Sequence, residues 1–355
     1  MCENYGAKDK NKKGNNLNTL TSPSVIENKV ERQKSLNGFK YIDLFAGIGG
    51  FHLAMSNFNA ECVFASEWDS FAANVYENNF GIIPNGDITK IEESDIPKHD
   101  ILCGGFPCQA FSVSGKQKGF DDTRGTLFFD IARIVKYHKP KILFLENVKN
   151  LAKHDKGKTL KVIVKTLYGL GYTVKYRVLN ASNYGLPQNR ERIFIVCFRN
   201  DLEISNFNFP TPTGQYVCLN DILEESPKAK IINRPDTKIF KTFKPETNIF
   251  GTLDLPNKPI QIGIVNKGGQ GERIYSTYGH ACTLSSYGGG AGSKTGIYSV
   301  NGVLRKLSPR ECARVQGFPD SFKIDKIQGQ AYKQFGNSVA VNVLKEIIKE
   351  IVKVI

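Results

Sequence analysis

The sequence predicts an α/β fold with a doubly wound, mostly parallel, Rossmann-like sheet and a smaller domain of short strands and loops. Apolar segments of strand character alternate with helical segments from Phe39 to Cys197, which is typical of a parallel sheet covered on both faces. The alternation then stops, and eight of the 27 residues from Asn266 to Gly292 are glycine. Apolar pairs recur every four residues from Val343 to Val352, which predicts an amphipathic C-terminal helix.

Each element of the predicted sheet follows from its local sequence. Segments rich in β-branched, aromatic and other apolar residues predict strands at 39–45, 62–66, 101–103, 142–145, 173–179 and 192–197. Amphipathic segments predict helices that begin at Phe51 and that span 70–79, 127–137 and 159–168. Residues from about 200 to 260 carry many Pro, Thr and Asn residues and predict loops rather than a continuation of the sheet.

Composition and charge limit the class of protein. The 355 residues include 48 Lys and Arg against 34 Asp and Glu, a net charge of +14. So basic a chain favours a polyanionic partner, and nucleic acid is the first expectation. There is no run of 18 apolar residues and no secretory signal, so we expect a cytoplasmic protein without a membrane segment. The eight cysteines form no CxxC pair, so we expect reduced thiols and no metal site.

The loop after the first strand is suited to a cofactor that carries a nucleoside. Its glycines let a ligand approach the backbone, and the helix N-terminus that follows favours a carboxylate or a phosphate. Glu67 follows the second strand, where a carboxylate can bind two ribose hydroxyls. Trp68 is either a core aromatic or a ring that stacks on adenine. Asp87 is either a turn residue or a partner of the adenine amino group.

Two cofactors fit these residues. One is a dinucleotide such as NAD, and the other is S-adenosylmethionine, whose charged amino-acid end would suit the loop. The loop does not match G-x-G-x-x-G, which weakens the case for NAD.

A cysteine follows the third predicted strand, at the edge of the sheet where α/β proteins keep their active sites. Pro107 precedes Cys108, and two glycines lie upstream, which indicates a shaped loop rather than a core position. A buried, inert cysteine is the alternative, and it describes Cys197, inside a predicted strand, better than Cys108. Cys108 is therefore the candidate nucleophile.

Charged residues reach the same edge from two other segments. Glu146 ends the fourth predicted strand, and Arg190 and Arg192 precede the last one. In an extended chain both arginines would point to one side, although a solvated strand end is the alternative. A thiol, a carboxyl group and guanidinium groups beside a cofactor suggest nucleophilic addition, protonation and support of an oxyanion.

Six segments together resemble the bacterial cytosine carbon-5 DNA methyltransferase family. They occur in the family's order and are Asp43–Gly50 (DLFAGIGG), Gly105–Gln109 (GFPCQ), Glu146–Val148 (ENV), Gln188–Arg192 (QNRER), Arg310–Arg314 (RECAR) and Gln334–Val339 (QFGNSV). Any one of them is a weak signal, whereas six in order over about 300 residues form a specific one. The resemblance covers the chain from about Phe39 to its end.

The resemblance implies transfer of a methyl group from S-adenosylmethionine to carbon 5 of cytosine in double-stranded DNA. Cys108 would add to carbon 6, while Glu146 would hold or protonate ring nitrogen 3. Arg192 would bind oxygen 2, and Arg190 would help to position the substrate. The thiolate must approach a face of the ring that stacked neighbours cover, so the base is expected to leave the double helix.

The resemblance also implies residues that bind the cofactor and the DNA. The expected cofactor-binding residues are Phe45, Gly47, Gly49, Gly50, Glu67, Trp68, Asp87, Ile88, Pro107, Leu127, Asn337 and Val339. The expected DNA-binding residues are Ser114, Lys116, Gln270, Arg273, Thr283 and Tyr287. Gln270 and Ser114 would fill the gap left by the flipped base, and Arg273 would read guanine.

These assignments divide the chain into domains. The expected parts are a disordered leader at 1–38, a catalytic and cofactor-binding domain at 39–220, a target-recognition domain at 221–308, a hinge at 309–336, and a C-terminal helix at 337–355 that completes the catalytic domain.

Residues 115–120 and 267–277 resemble the HhaI-type members of the family, so the inner cytosine of GCGC is the expected target. We expect a monomer whose genetic partner is a restriction endonuclease. An RNA (tRNA) cytosine carbon-5 methyltransferase of the same fold, an NAD-dependent oxidoreductase and a DNA-binding protein with an inactive site are the alternatives. The large Gly-rich region argues against the RNA enzyme, because reading a DNA sequence requires such a domain.

Overall fold

A computed structural model describes residues 35–107, 127–243 and 256–355, together with two short strands at 246–247 and 253–254. The predicted leader lies outside these residues up to residue 34. None of the helices within the described ranges is long and apolar enough to cross a membrane.

The larger sheet has six strands in the order β2-β1-β3-β4-β6-β5. They are β1 Lys40–Leu44, β2 Glu61–Ser66, β3 Ile101–Gly105, β4 Ile142–Val148, β5 Tyr172–Asn180 and β6 Glu191–Arg199. β1 pairs in parallel with β2 and β3, and β3 with β4, whereas β6 runs antiparallel to both of its neighbours. The predicted α/β fold with a mostly parallel sheet is therefore confirmed.

Helices cover both faces of this sheet. They are α1 Gly50–Ser56, α2 Ser70–Phe80, α3 Leu127–His138, α4 Lys158–Gly169, α5 Pro309–Val315, α6 Gln328–Asn337 and α7 Val341–Val354. α3 and α4 bury Ile131 and Ile163 in the apolar cluster on one face. α1 and α7 bury Phe51 and Leu344 in the cluster on the other. Burial on both faces explains why the strands are almost continuously apolar in sequence.

The C-terminal helix packs against the first helix of the chain. The apolar stripe predicted from its four-residue spacing is buried in the core, as Leu344, Ile347, Ile348 and Ile351 show. The C-terminal helix begins later than the predicted residue 337. α7 begins at Val341, and Asn337 is the last residue of α6. The C-terminal helix therefore belongs to the same core cluster as Leu36 and α1.

Five short strands between residues 238 and 305, a stretch that includes the Gly-rich region, form a second sheet in the order β13-β12-β11-β10-β7. They are β7 Lys238–Ile239, β10 Ile260–Ile264, β11 Arg273–Ser276, β12 Ile297–Val300 and β13 Val303–Arg305. β8 Glu246–Thr247 and β9 Leu253–Asp254 pair with each other. Ile262, Ile274 and Ile297 form a small core. These strands are too short, and too often interrupted by glycine, to give a clear alternating pattern in sequence.

Gly336, near the end of α6, allows the segment before Tyr287 to lie directly against that helix. A Cβ atom on Gly336 would lie 2.2 Å from the carbonyl carbon of Ser285 and 2.3 Å from the amide nitrogen of Ser286. Gly329 is at the other end of the same helix, and a Cβ atom there would meet nothing within 4 Å. The first glycine is required by packing and the second is not.

Gly336→Ala is expected to lower the free energy of unfolding by about 1–3 kcal/mol, because two backbones must separate to admit a methyl group. Gly329→Ala is the matched control and is expected to be neutral or to stabilise by up to about 1 kcal/mol, because alanine favours the helix. Urea denaturation followed by circular dichroism compares the two variants. Equal midpoints would contradict the close contact at Gly336.

Candidate active site

The candidate site lies at the carboxyl edge of the larger sheet. The strand order reverses between β1 and β3, and such a switch point leaves a crevice at the ends of the strands. β3 and β4 end at this edge with Gly105 and Val148. β6 is antiparallel to β4, so its beginning lies at the same edge, where Arg192 pairs with Val148. An arginine thereby reaches the edge to which the parallel strands bring their carboxyl ends.

The turn between β1 and α1 leaves open space above one of its glycines. Gly47 and Gly49 adopt left-handed φ angles of 55° and 87°. A Cβ atom on Gly47 would meet nothing within 4 Å, whereas one on Gly49 would lie 2.1 Å from Cε2 of Phe80. One on Gly50 would lie 2.5 Å from Cγ2 of Val339. Gly47 therefore leaves room for a ligand, while Gly49 and Gly50 are needed for packing.

The carboxylate of Glu67 is fastened to this turn. One oxygen accepts a hydrogen bond from the amide of Gly47 and the other from the amide of Asp69, both at 2.8 Å. Glu67 is 8% exposed, and this burial raises its pKa. Each carboxylate oxygen has a further lone pair, so Glu67 can still accept hydrogen bonds from hydroxyl groups of a ligand.

The residues around Glu67 differ in exposure. Trp68 is 80% exposed, which excludes the core-aromatic interpretation. Phe45 is partly buried and adopts a left-handed φ of 55° at the start of the turn. Asp87 caps a 3₁₀ turn by accepting from the amide and hydroxyl of Thr89 at 3.1 and 2.9 Å, and the neighbouring Ile88 is buried. An indole ring thus lies open beside an anchored carboxylate.

The loop expected to carry the nucleophile is described only at its two ends. Three predicted site residues fall outside the described residues, namely Cys108, Ser114 and Lys116. Pro107 is exposed at the start of the loop, and the side-chain amide of Asn147 donates to the carbonyl of Phe106 at 2.7 Å. Leu127, partly buried, begins α3 at the other end. The start of the loop is therefore fixed to the strand that carries Glu146.

Glu146 and Arg192 form a buried ion pair at the centre of the edge. Nε of Arg192 lies 3.1 Å from Oε1 of Glu146, and both side chains are largely buried. Burial raises the pKa of Glu146 more than the nearby Arg192 and Arg190 lower it. Burial also lowers the pKa of Arg192, which Glu146 partly opposes. This carboxyl group takes up a proton more readily than an exposed glutamate does.

Arg190 fastens other segments to the sheet. Its guanidinium group donates to the carbonyls of Leu284, Gly336 and Ser338 at 3.0, 3.2 and 2.5 Å. The side chain is 2% exposed, and burial lowers its pKa. Thus Arg190 holds the segment before Tyr287 and the end of α6 against the start of β6.

The predicted DNA-binding residues of the second sheet and its loops are exposed. Gln270 and Arg273 lie on the turn and strand after Gly269, and Nε of Arg273 is 3.4 Å from the carbonyl of Gly268. The hydroxyl of Thr283 donates to the carbonyl of Asn189 at 2.5 Å. Tyr287 is 76% exposed. Thr283 therefore lies against the segment that leads to Arg192.

Two predicted cofactor-binding residues, Asn337 and Val339, lie at and just beyond the end of α6, and Val339 reaches the turn between β1 and α1. Val339 packs on Gly50, and its other methyl group lies 3.9 Å from where a Cβ atom on Gly105 would be. Asn337, the last residue of α6, is exposed. Val339 thus lies between the start of α1 at Gly50 and the end of β3 at Gly105, which links the segment after α6 to the candidate cofactor region.

Sequence reasoning missed three amide side chains that hold the site together. One is Asn147, described above. Asn180 accepts from the amide of Arg190 at 2.9 Å and donates to the side chain of Asn189 at 2.6 Å. Gln188 is fully buried, accepts from the amide of Leu284 and donates toward residues 315 and 316. Asn147 and Gln188 lie within the motifs ENV and QNRER. An uncharged amide close to a charged site residue in each motif is the sequence feature that could have predicted their positioning role.

The described part of the chain contains no group of three His, Cys, Asp or Glu residues that could hold a metal ion.

Comparison with known proteins shows to which enzyme family the chain belongs. Residues 39–353 match the family described as C-5 cytosine-specific DNA methylase. The chain belongs to this family. It is 57% identical over 318 residues to the type II methyltransferase M.HhaI of Haemophilus parahaemolyticus, covering 89% of this chain and 95% of that protein. It is 44% identical over 355 residues to M.HpaII of Haemophilus parainfluenzae, covering 95% and 96%.

Solved structures support the fold. The Dnmt2 methyltransferase of S. pombe aligns with a TM-score of 0.64 at 20% identity, covering 88% of this chain and 97% of that one. A putative DNA modification methyltransferase encoded within a prophage (E. coli) gives 0.64 at 21% identity, covering 89% and 99%. The family match and the type II relatives show that the chain is a C-5 cytosine DNA methyltransferase. The predicted enzyme class is therefore confirmed, and the oxidoreductase alternative is wrong.

Arg192→Gln is expected to raise the pKa of Glu146 further, because it removes the nearest positive charge. The variant should lose stability as the pH rises above the ordinary range of glutamate, by up to about 3 kcal/mol, because an unpaired buried carboxyl group resists ionisation. Carboxyl ¹³C NMR titration and urea unfolding measure the two effects. Lys149→Gln, which removes a partner of Glu191 instead, is the control. An unchanged Glu146 titration in Arg192→Gln would contradict the ion pair.

Proposed function

We propose that this methyltransferase takes its methyl group from S-adenosylmethionine and transfers it to carbon 5 of the inner cytosine of GCGC in duplex DNA. The observation that carries the proposal is the buried Glu146–Arg192 pair beside the start of the Cys108 loop. A carboxyl group whose pKa is raised and an adjacent guanidinium group are suited to donate to nitrogen 3 and oxygen 2 of cytosine.

The residues around the turn between β1 and α1 fit S-adenosylmethionine. Glu67 offers free lone pairs to ribose hydroxyls, and the exposed ring of Trp68 offers a surface to adenine. Gly47 leaves space for the amino-acid end. The cofactor, when bound, supplies an electrophilic methyl group. We further propose that the remaining predicted contacts, Phe45, Gly49, Gly50, Asp87, Ile88, Pro107, Leu127, Asn337 and Val339, line or support this site.

Cytosine carbon 5 is a poor nucleophile, and Cys108 is proposed to activate it. Addition of the Cys108 thiolate to carbon 6 forms a carbon–sulfur bond and makes carbon 5 enamine-like, so that it can take up the methyl group. The proton on carbon 5 then leaves as the carbon–sulfur bond breaks, which restores the aromatic ring and the thiolate.

The pair of Glu146 and Arg192 is proposed to stabilise the ring during addition. Glu146 donates a proton toward nitrogen 3, which is consistent with its raised pKa, and Arg192 binds oxygen 2. Arg190 is proposed as a positioning residue, because its guanidinium group is occupied by three backbone carbonyls. It holds the segments that frame the pair.

The second sheet is proposed to read the DNA. The 57% identity to M.HhaI over most of the chain supports a GCGC target. Arg273 is exposed and is the candidate reader of guanine, since arginine is the commonest specific partner of that base. Gln270 and Ser114 would fill the space left by the flipped cytosine, while Lys116, Thr283 and Tyr287 would contact the strands.

The domain division at 39–220, 221–308, 309–336 and 337–355 is likewise proposed, as are a monomeric state and a restriction endonuclease as genetic partner. Contacts of α7 with α1 support the return of the C-terminus to the catalytic part.

The proposal is tested with labelled S-adenosylmethionine and duplex DNA, followed by bisulfite sequencing. Methylation is expected at the inner cytosine of GCGC and nowhere else. Cys108→Ser should reduce transfer by a factor on the order of 10³ or more, because a hydroxyl group is far less nucleophilic than a thiolate. Cys282→Ser, at a partly buried cysteine of the second sheet region, is the matched control and should retain transfer.

Methylation of another sequence would overturn the GCGC assignment alone. Near-normal turnover by Cys108→Ser would overturn the mechanism. Transfer to tRNA in place of duplex DNA would overturn the proposed substrate.

A further inference from the structure

The turn before α4 and the outer side of that helix form a basic surface, called here the lysine face. It consists of five exposed lysines, Lys153, Lys156, Lys158, Lys161 and Lys165. Asp155 is the single acidic residue between positions 149 and 169, and it lies 4.0 Å from Lys158. No carboxylate within the described ranges pairs with the other four lysines. The described residues therefore leave most of this charge uncompensated.

The packing of α4 keeps the lysine face turned to solvent. Leu160, Ile163 and Leu167 are buried in the apolar cluster on one face of the sheet. Lys161 and Lys165 are spaced four residues apart, so they are neighbours on the other side of the helix. A helix whose apolar stripe is buried cannot rotate to hide these lysines.

The turn that precedes α4 has an unusual backbone. Asp155, Lys156 and Gly157 adopt left-handed φ angles of 46°, 53° and 82° in succession. A left-handed conformation is unfavourable for a residue other than glycine. Three consecutive left-handed residues place the Lys156 backbone directly before the first turn of α4.

The lysine face begins at the edge of the sheet where the active site lies. The chain leaves β4 at Val148, two residues after Glu146, and enters the 3₁₀ turn Lys149–Ala152. Lys149 forms an ion pair with Glu191, the neighbour of Arg192 in β6. α4 then runs from this edge back along the face of the sheet toward the amino edge, where β5 begins with Tyr172 opposite Arg199.

We propose that the lysine face binds the phosphates of DNA that flanks the recognition site. The proposal rests on the proposed function with duplex DNA. Lys153 and Lys156 lie nearest the proposed site, and α4 carries the other three lysines along a helix of about 18 Å that leads away from that edge. Duplex DNA carries one negative charge for about every 1.7 Å of its axis, so it can match several lysines at once. Such contacts are independent of sequence and hold the duplex while a base is flipped.

The test compares two duplexes that each contain one GCGC site, a short one with about three flanking base pairs per side and a long one with about 15. A triple variant, Lys156→Gln, Lys161→Gln and Lys165→Gln, removes charge at solvent-exposed positions. The matched control replaces Lys40, Lys98 and Lys139, exposed lysines at the amino edge of the sheet, by glutamine. Fluorescence anisotropy measures affinity over a series of KCl concentrations.

The triple variant is expected to bind the long duplex about tenfold more weakly at low salt. Its slope of log K against log[KCl] should be shallower by about 0.9 for each lysine that meets a phosphate, up to about 2.7. The loss should be confined to the long duplex and absent from the control triple. An unchanged slope, an equal loss with the short duplex, or an equal loss in the control would overturn the proposal.

Methyl transfer to the short duplex by the wild-type enzyme is measured in parallel. Its absence would refute the proposed function, whereas the salt slope on the long duplex decides the lysine face independently.

Discussion

The antiparallel pairing of β6 with β4 is the constraint on which the site depends. It brings Arg192, at the beginning of β6, to the carboxyl end of β4 and within 3.1 Å of Glu146. If β6 ran parallel to β4, that arginine would lie opposite Ile142 instead of Val148, six residues or about 20 Å away at the other edge of the sheet. One reversed strand in a mostly parallel sheet therefore brings the two residues of the ion pair together.

The same segment connects distant parts of the chain. Arg190 and Gln188 are buried and form hydrogen bonds with Leu284, with the end of α5 and with the end of α6. Val339, just beyond α6, packs on the glycine turn that follows β1. Burying an arginine is costly unless its donors are satisfied, and here backbone carbonyls satisfy two of its three nitrogens. The active site is thus held in place by contacts among segments far apart in sequence.

The sequence was sufficient to predict the larger sheet and most positions at its edge, because strands buried on both faces are apolar throughout and because the motifs stand at strand ends. It was not sufficient for the second sheet, whose strands of two to five residues depend on tertiary contacts. The packing roles of Gly49 and Gly50 depend on Phe80 and Val339, which no local pattern reveals. Arg190 shows the same limit, since its partners lie 94 to 148 residues away.

The proposed mechanism requires a covalent bond between Cys108 and the target base. An oligonucleotide with 5-fluorocytosine at the inner position of GCGC, incubated with enzyme and S-adenosylmethionine, tests it directly, because fluorine cannot leave as a proton does. Digestion and mass spectrometry should locate a stable adduct on Cys108. The absence of an adduct, or an adduct on any other cysteine, would contradict the account.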